Sequence, residues 1–104
     1  MTNAPKRYVG LDNEINGGMT DTAKIIRDAQ VFGIIAEDET CEGWLSEGIQ
    51  SLWDKVQIAW EPYGYSVGAL PDDLRTRFMD IHGQAMTRAR AAGWDGDQEL
   101  AGDV

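Results

Sequence analysis

The stretch LSEGIQSLWDKVQIAWEP, residues 45–62, gives the clearest indication of the fold. Its apolar residues recur at alternating intervals of four and three positions, which places their side chains on one side of an α-helix. This stripe consists of Leu45, Ile49, Leu52, Val56 and Ala59. Trp53 and Trp60 widen the stripe on one side. Pro62 is expected to end the helix, because a proline disfavours the α conformation at the residue before it, here Glu61.

The beginning of this helix is less sharply defined than its end. Thr40 is a candidate N-cap with Glu42 in the first turn, where a carboxylate interacts favourably with the helix dipole. Gly43 and Gly48 weaken the first turns, since each glycine costs about 1 kcal/mol relative to alanine inside a helix. Ser46 is therefore an alternative N-cap.

Two further helices are predicted on either side. Thr20 is the expected N-cap of the first helix, and Ile25, Ala29 and Phe32 then repeat at helical spacing until the helix ends between residues 33 and 36. The third helix is expected to open at Pro71, since proline is tolerated at the first helical position. Its apolar stripe consists of Leu74, Phe78, Ile81 and Ala85.

Local signals complete the third helix. Asp73 and Arg77 are four positions apart in the order that favours an ion pair along a helix. Gly93 is suited to the position after the helix, where a left-handed conformation is common.

These patterns predict an all-α protein, a small three-helix domain with an irregular N-terminal segment and a disordered acidic C-terminal tail. Residues 1–19 are expected to form an irregular arm that packs on the body, and the RYVGL segment is expected to be extended. Residues 20–94 form the three-helix domain. Residues 95–104, with a polar and acidic composition, are expected to be a disordered tail.

Composition limits the range of functions. The chain has 104 residues and a formal net charge of -9. This charge opposes non-specific attachment to nucleic acid or to anionic lipid, both of which need clustered lysine and arginine. The sequence contains neither a secretory signal nor an apolar run long enough to span a membrane, and its single cysteine fits a reducing compartment, so a cytoplasmic location is expected.

The segment GLDNEINGGMTD, residues 10–21, partly matches a calcium-binding loop. Asp12, Glu14 and Asn16 occupy the first, third and fifth ligand positions, and Gly17 occupies the sixth. The twelfth position, which should provide a bidentate glutamate, is Ala23. The favoured interpretation is therefore a turn that directs the chain into the first helix, and no metal or cofactor is predicted.

Catalytic combinations are similarly incomplete. Cys41 is expected in the first turn of the second helix, where the dipole would lower its pKa, but Glu39 and Glu42 oppose that effect. His82 is the only histidine and has no supporting motif beside it. We therefore expect Cys41 to be a small buried residue, His82 to be partly buried at the edge of the third helix, and the chain not to be an enzyme.

Aromatic and acidic residues are the strongest functional indication. Tryptophan and tyrosine are common at the energetic centres of protein interfaces. The predicted partner-binding residues are Trp53, Trp60, Tyr63, Tyr65, Glu37, Asp38 and Glu39. The leading hypothesis is an interaction module that self-associates and presents an acidic band to a basic protein partner.

Two alternatives belong to other functional classes. One is a nucleic-acid mimic that inhibits a DNA-binding protein by arraying carboxylates at phosphate-like spacing. The other is a protein that binds a small ligand or a divalent metal through the loop from Asp12 to Gly18.

Overall fold

The computed structural model describes residues 7–14 and 19–93 of the chain. In these residues the chain forms three α-helices: α1 (Asp21–Val31), α2 (Ser46–Trp60) and α3 (Asp72–Ala91). Short 3-10 turns occupy Leu11–Asn13, Glu61–Tyr63 and Val67–Ala69. The predicted all-α three-helix fold is confirmed. The predicted tail, residues 95–104, lies outside the described residues.

Helix α1 is the central element, because it packs against both α2 and α3. Six of its residues are buried: Ala23, Ile26, Arg27, Ala29, Gln30 and Val31. The helix begins as predicted, with the Thr20 hydroxyl accepting a hydrogen bond from the Ala23 backbone N–H at 3.1 Å. It ends at Val31, and Gly33 then adopts a left-handed conformation with φ of 72°.

Helix α2 begins later than its first candidate cap. Thr40 as the N-cap is wrong, since the helix begins at Ser46 and its N-cap residue is Leu45. The reason lies in tertiary hydrogen bonds: the Thr40 carbonyl accepts from Leu11 N–H at 3.1 Å, and Gly43 N–H donates to the Tyr8 carbonyl at 2.8 Å. A helix through residues 40–45 would break these bonds to the arm.

The C-terminal end of α2 lies where the sequence predicts, but Pro62 does not end the helix in the predicted way. The α-helix ends at Trp60. Glu61 nevertheless remains in the α region, with φ of -52° and ψ of -47°. Pro62 therefore does not push Glu61 out of this region; the chain tightens into a 3-10 turn, Glu61–Tyr63, in whose first turn the missing proline N–H is tolerated.

Helix α3 follows its predicted bounds to within one residue. Pro71 is the N-cap residue, and the helix ends at Ala91 shortly before Gly93, whose φ is 101°. The predicted pair between Asp73 and Arg77 is wrong. Arg77 instead reaches off the helix, where it contacts Glu37 at 3.1 Å and donates to the Gln30 carbonyl at 3.0 Å.

A single cluster of buried side chains joins the helices. Its members are Ile26, Ala29, Cys41, Leu52, Val56, Trp60 and Leu70. Tyr8 and Leu11 from the N-terminal segment and Leu74 and Phe78 from α3 pack against this cluster. Among the described residues, no helix combines the length and the apolar character that a membrane span requires.

Candidate partner-binding groove

The N-terminal arm, here residues 7–14, lies beside the loop that precedes α2. Tyr8 N–H donates to the Trp44 carbonyl at 2.8 Å, and the Tyr8 carbonyl accepts from Gly43 at the same distance. Arg7 forms an isolated antiparallel bridge with Leu45, and its guanidinium donates to the Gly43 carbonyl at 2.8 Å. These bonds fix an extended piece of chain next to the first turns of α2.

Polar side chains hold the rest of the arm in place. The Glu14 carboxylate accepts hydrogen bonds from the Tyr8 hydroxyl and from the Thr20 hydroxyl, the latter at 2.7 and 2.9 Å. Burial, followed by the hydrogen bond and the charge of Glu14, raises the pKa of Tyr8 above its ordinary value. Asn13 donates to the Val9 carbonyl at 2.9 Å and to the Glu42 carboxylate at 3.1 Å.

This network involves one residue of the partial calcium-loop match. Glu14, the candidate ligand at the third position of the loop, already has its carboxylate engaged by two hydroxyl groups. The described residues contain no group of three or more histidine, cysteine, aspartate or glutamate side chains placed to hold a metal ion. Residues 15–18, including Asn16 and Gly17, lie outside the described part of the chain.

An open groove of about 380 Å³ lies between the arm and the first half of α2. We call it the aromatic groove. Six of the residues that line it are Tyr8, Val9, Trp44, Ile49, Gln50 and Trp53. Val9 has 53% of its surface exposed, whereas Trp44 and Trp53 are half-buried. The groove therefore exposes apolar and aromatic surface to solvent, and hydrogen bonds hold the backbone of the arm beside it in place.

Local sequence explains the shape of the groove. Ile49 and Trp53 are one helical turn apart, so their side chains line the same side of α2. Gly48 lies against the Trp44 ring: a Cβ at this position would lie 3.4 Å from Trp44 Cε3. This distance is an ordinary van der Waals contact, so the Trp44 ring packs directly on the first turns of α2.

The four aromatic residues predicted to bind a partner have different environments. Trp53 lines the aromatic groove, but Trp60 is only 8% exposed and belongs to the buried cluster. Tyr63 is half-buried, with its ring stacked on that of Phe32 at a centroid distance of 6.3 Å. Tyr65 is 59% exposed, with a positive φ of 59°.

The three predicted acidic partner-binding residues also differ. Glu37 is exposed and contacts Arg77 at 3.1 Å. Asp38 is exposed, whereas a carboxylate oxygen of Glu39 accepts from Cys41 N–H at 3.0 Å. Internal contacts therefore engage Glu37 and Glu39, which lie between α1 and α2.

Cys41 is fully buried, in agreement with the expectation of a small buried residue, but it precedes α2 and has a positive φ of 60°. Burial, with a smaller contribution from the Glu39 charge, raises the pKa of its thiol to about 11. The thiol is consequently protonated at neutral pH. An activated nucleophile requires the opposite shift.

Sequence reasoning missed a contact in which all three helices take part. Asp28 on α1 lies 2.7 Å from His82 Nε2 on α3, and its second carboxylate oxygen accepts from the Trp60 indole N–H of α2 at 3.2 Å. His82 is indeed half-buried on α3. No local pattern marks Asp28 as its partner, because the two residues are 54 positions apart.

Arg27 is a second feature that the sequence did not indicate. It is only 4% exposed, although arginine is rarely buried to this extent. Burial, followed by the charge of Arg88, lowers the pKa of Arg27, and the nearby carboxylate of Glu14 acts in the opposite direction. The arm and α3 thus both contribute charge around α1.

Comparison of the chain with protein-family models, with curated proteins and with solved structures finds no match.

Proposed function

We propose that this chain is a non-enzymatic protein-interaction module that binds its partner in the aromatic groove. The observation that supports this proposal is that Trp44 and Trp53 both line an open groove of about 380 Å³. Such a volume is sufficient for an apolar side chain and its neighbours, since pockets for small ligands begin at about 300 Å³. Tryptophan side chains that remain accessible provide large contact area with little loss of conformational entropy.

The partner segment that fits this groove carries basic residues beside an apolar anchor. Glu47 and Asp54 are exposed and lie three residues before and four residues after Gln50, so helical spacing places them next to this lining residue. Gln50 donates to the Asp54 carboxylate at 3.2 Å. With a net charge of -9 over the whole chain, these carboxylates attract a cationic segment and accelerate its association.

A second copy of the chain is the other occupant that we propose for the same surface. Self-association through exposed tryptophan would bury Trp53 against its equivalent or against another apolar patch. Repulsion between two chains of charge -9 weakens this association at low ionic strength and leaves it stronger when salt screens the charges. The salt dependence of the two occupants is therefore opposite.

The decisive variants are Trp53→Ala and Ile58→Ala. Both residues are apolar and lie on α2, but Ile58 is 64% exposed and does not line the groove, so it is a matched control. The immobilised variants should be used to capture proteins from a lysate of the source cell. A genuine partner is retained by wild type and by Ile58→Ala, is lost by Trp53→Ala, and is released by high salt.

Direct binding then confirms the contact. A peptide covering the captured partner's basic segment should change the tryptophan fluorescence of wild type and of Ile58→Ala but bind Trp53→Ala at least about tenfold more weakly, the loss expected for a hot-spot residue. Equal affinity for all three proteins would rule out the aromatic groove as the binding surface.

Self-association is tested by sedimentation over a range of protein concentrations at low and high salt. A dimer formed through the groove should increase with salt and disappear in Trp53→Ala, while Ile58→Ala should resemble wild type. A monomer at every concentration would remove self-association from the proposal without affecting the hetero-partner.

A further inference from the structure

A row of carboxylates follows the aromatic groove along α2. Glu47 and Asp54 lie on the same side of the helix as Gln50, at a helical spacing of three and four positions from it. Gln50 lines the groove together with Trp53 and donates to Oδ1 of Asp54 at 3.2 Å. We call Glu47 and Asp54 the acidic row. Because Gln50 belongs to the groove and contacts Asp54, a segment that fills the groove at Trp53 lies next to this carboxylate.

The acidic row presents negative charge to a partner. Both carboxylates are exposed, and within the described ranges neither forms an ion pair. Lys55 follows Asp54 in the sequence, but each residue turns an α-helix by about 100°, which directs Lys55 further from the groove. Charge complementarity beside Trp53 therefore favours a cation in the partner.

Arg7, a cation that lines the groove, lies towards the opposite end. It forms its antiparallel bridge with Leu45, the residue before α2, and its guanidinium donates to the Gly43 carbonyl at 2.8 Å. At 1.5 Å per residue, Leu45 and Asp54 are separated by roughly 13 Å along the helix axis. The Debye length at physiological ionic strength is about 8 Å, so repulsion between Arg7 and a cation at Asp54 is largely screened.

We infer that the partner places an arginine at the Trp53 end of the groove, with its guanidinium stacked on the Trp53 ring and bonded to the Asp54 carboxylate. The apolar anchor of the same segment then occupies the end lined by Val9 and Trp44. The arginine contact rests on the proposed function, since it requires a partner segment in the aromatic groove.

The chemistry of this end of the groove fits arginine better than lysine. A guanidinium is planar and weakly hydrated, so it stacks on an indole ring at a small cost in lost hydration, whereas the compact ammonium of lysine is strongly hydrated. Within the described part of the chain, the ring of Trp53 pairs with no other aromatic ring. Gln50 donates to one oxygen of Asp54, which leaves the second oxygen for a donor from the partner. The forked donors of a guanidinium can reach that oxygen while its plane stays on the ring.

The test uses short blocked peptides of serine and glycine that carry one leucine and one variable residue, which is arginine, citrulline or lysine. Citrulline has the shape of arginine without its charge. Affinities for wild type are measured from proton NMR chemical shifts. The arginine peptide should bind about tenfold more tightly than the citrulline peptide, the combined effect of a cation–π contact and an exposed ion pair, with the lysine peptide between them. Equal affinity for the arginine and citrulline peptides, or tighter binding of the lysine peptide, would overturn the inference.

Asp54→Asn and Asp80→Asn are a matched pair of variants. Both remove one exposed carboxylate, but Asp80 lies on α3 and does not line the groove. Asparagine can still accept the hydrogen bond from Gln50, so α2 keeps this contact. The ratio of arginine-peptide to citrulline-peptide affinity should fall about threefold in Asp54→Asn and stay at the wild-type value in Asp80→Asn. Equal ratios in the two variants would contradict the contact with Asp54.

Trp53→Leu tests the stacking contact, because leucine keeps apolar surface but has no aromatic face. The same affinity ratio should fall by about threefold or more. Each ratio compares two peptides on one protein, so a change in the stability of the variant cancels. A ratio unchanged from wild type would contradict stacking on Trp53.

Trp53→Ala and Ile58→Ala separate the arginine contact from the groove itself. Arginine and citrulline peptides that bind equally to wild type, and that are both lost by Trp53→Ala alone, would remove the arginine and leave the groove as the binding surface. Peptides and a captured partner that bind Trp53→Ala as tightly as wild type would remove both.

Discussion

Trp53 and Trp60 are seven residues apart on the same side of α2, but they have opposite environments. Trp53 is half-buried and lines the aromatic groove between the N-terminal arm and α2. Trp60 is 8% exposed, packs edge-on against Phe32 and Phe78, and donates to Asp28. We refer to the two regions as the open end and the closed end of α2.

The difference arises from what covers each end. At the closed end, α1 and α3 both contribute side chains, so the second tryptophan becomes part of the core. At the open end, the cover is a short extended arm bonded to residues 43 and 44, which leaves a groove beside it. Helical periodicity selects the side of a helix that is apolar, but it does not decide how completely a neighbour covers that side.

The largest expected effect is the difference in stability between the Trp60→Ala and Trp53→Ala variants. Trp60→Ala should lower the free energy of unfolding by about 3 to 5 kcal/mol, because it removes a buried aromatic ring and leaves a cavity. Trp53→Ala should cost no more than about 2 kcal/mol, since Trp53 retains some exposure and its loss leaves no enclosed cavity. Urea unfolding of both variants measures the difference, and equal losses would mean that the open end is as closed as the core.

The reactivity of Cys41 tests whether the loop before α2 is closed to solvent and reagents. Its pKa of about 11 lies above the ordinary value of 9.0. At pH 8 the thiolate fraction should therefore be about a hundredfold lower than that of an ordinary cysteine, and alkylation by iodoacetamide should be slowed at least as much.

The raised pKa of Cys41 also determines the direction in which stability changes with pH. A thiol whose pKa is raised on folding contributes stability that is present below pH 9 and is lost as pH rises towards 11. The unfolding midpoint of wild type should fall over this range by more than that of Cys41→Ala. Rapid alkylation of the native protein would show that the loop before α2 opens readily.

Gly10→Ala tests how firmly the arm is placed. Gly10 has φ of 95°, and a Cβ there would lie 2.9 Å from Glu42 Cβ. Strain and overlap together should cost about 1 to 3 kcal/mol and displace the arm that forms one side of the groove. Urea unfolding and tryptophan fluorescence report these two effects.

Gly33→Ala is the control for Gly10→Ala. Gly33 also has a positive φ, 72°, but a Cβ there would meet no atom within 4 Å. This variant should show the conformational cost alone and leave the tryptophan spectrum unchanged. A similar spectral change in both variants would contradict a specific contact between the arm and Glu42.

The smallest expected effect concerns Tyr65, which follows the closed end. Its φ of 59° is unfavourable for a tyrosine, and the residue is 59% exposed. Tyr65→Gly should therefore raise the free energy of unfolding by up to about 1 kcal/mol. A thermal melt measures this gain, and a clear loss of stability would instead mean that the exposed ring supports the fold.

Features that depend on neighbouring residues could be predicted from the sequence. Thr20 caps α1 because its hydroxyl lies within reach of the Ala23 N–H three residues later. The bounds of α3 follow similarly from Pro71 and Gly93. The end of α2 at Trp60 was also predictable, although the proline acts through a 3-10 turn and not by excluding Glu61 from the α region.

Features that depend on distant residues could not be predicted. Thr40 has the side chain of a good N-cap, but hydrogen bonds from the arm compete for the backbone there, and α2 begins at Ser46. Arg77 had a suitable partner one turn away at Asp73, and instead extends to Glu37 and Gln30. For the candidate site, the sequence indicated Trp53 as a partner-binding residue and an N-terminal arm that packs on the body, but not that the arm and Trp44 form a groove with Trp53.

The sequence by itself determined the number of helices, their apolar sides, the acidic charge and the two capping residues that begin α1 and follow α3. These properties arise from backbone geometry and side-chain spacing within a few turns. Only the tertiary structure decided which tryptophan is buried, which carboxylates are engaged internally, and that Asp28 meets both His82 and Trp60. The physical reason is that burial and pairing depend on the packing of α1 against α2 and α3, and the energies that fix this packing come from residues far apart in the chain.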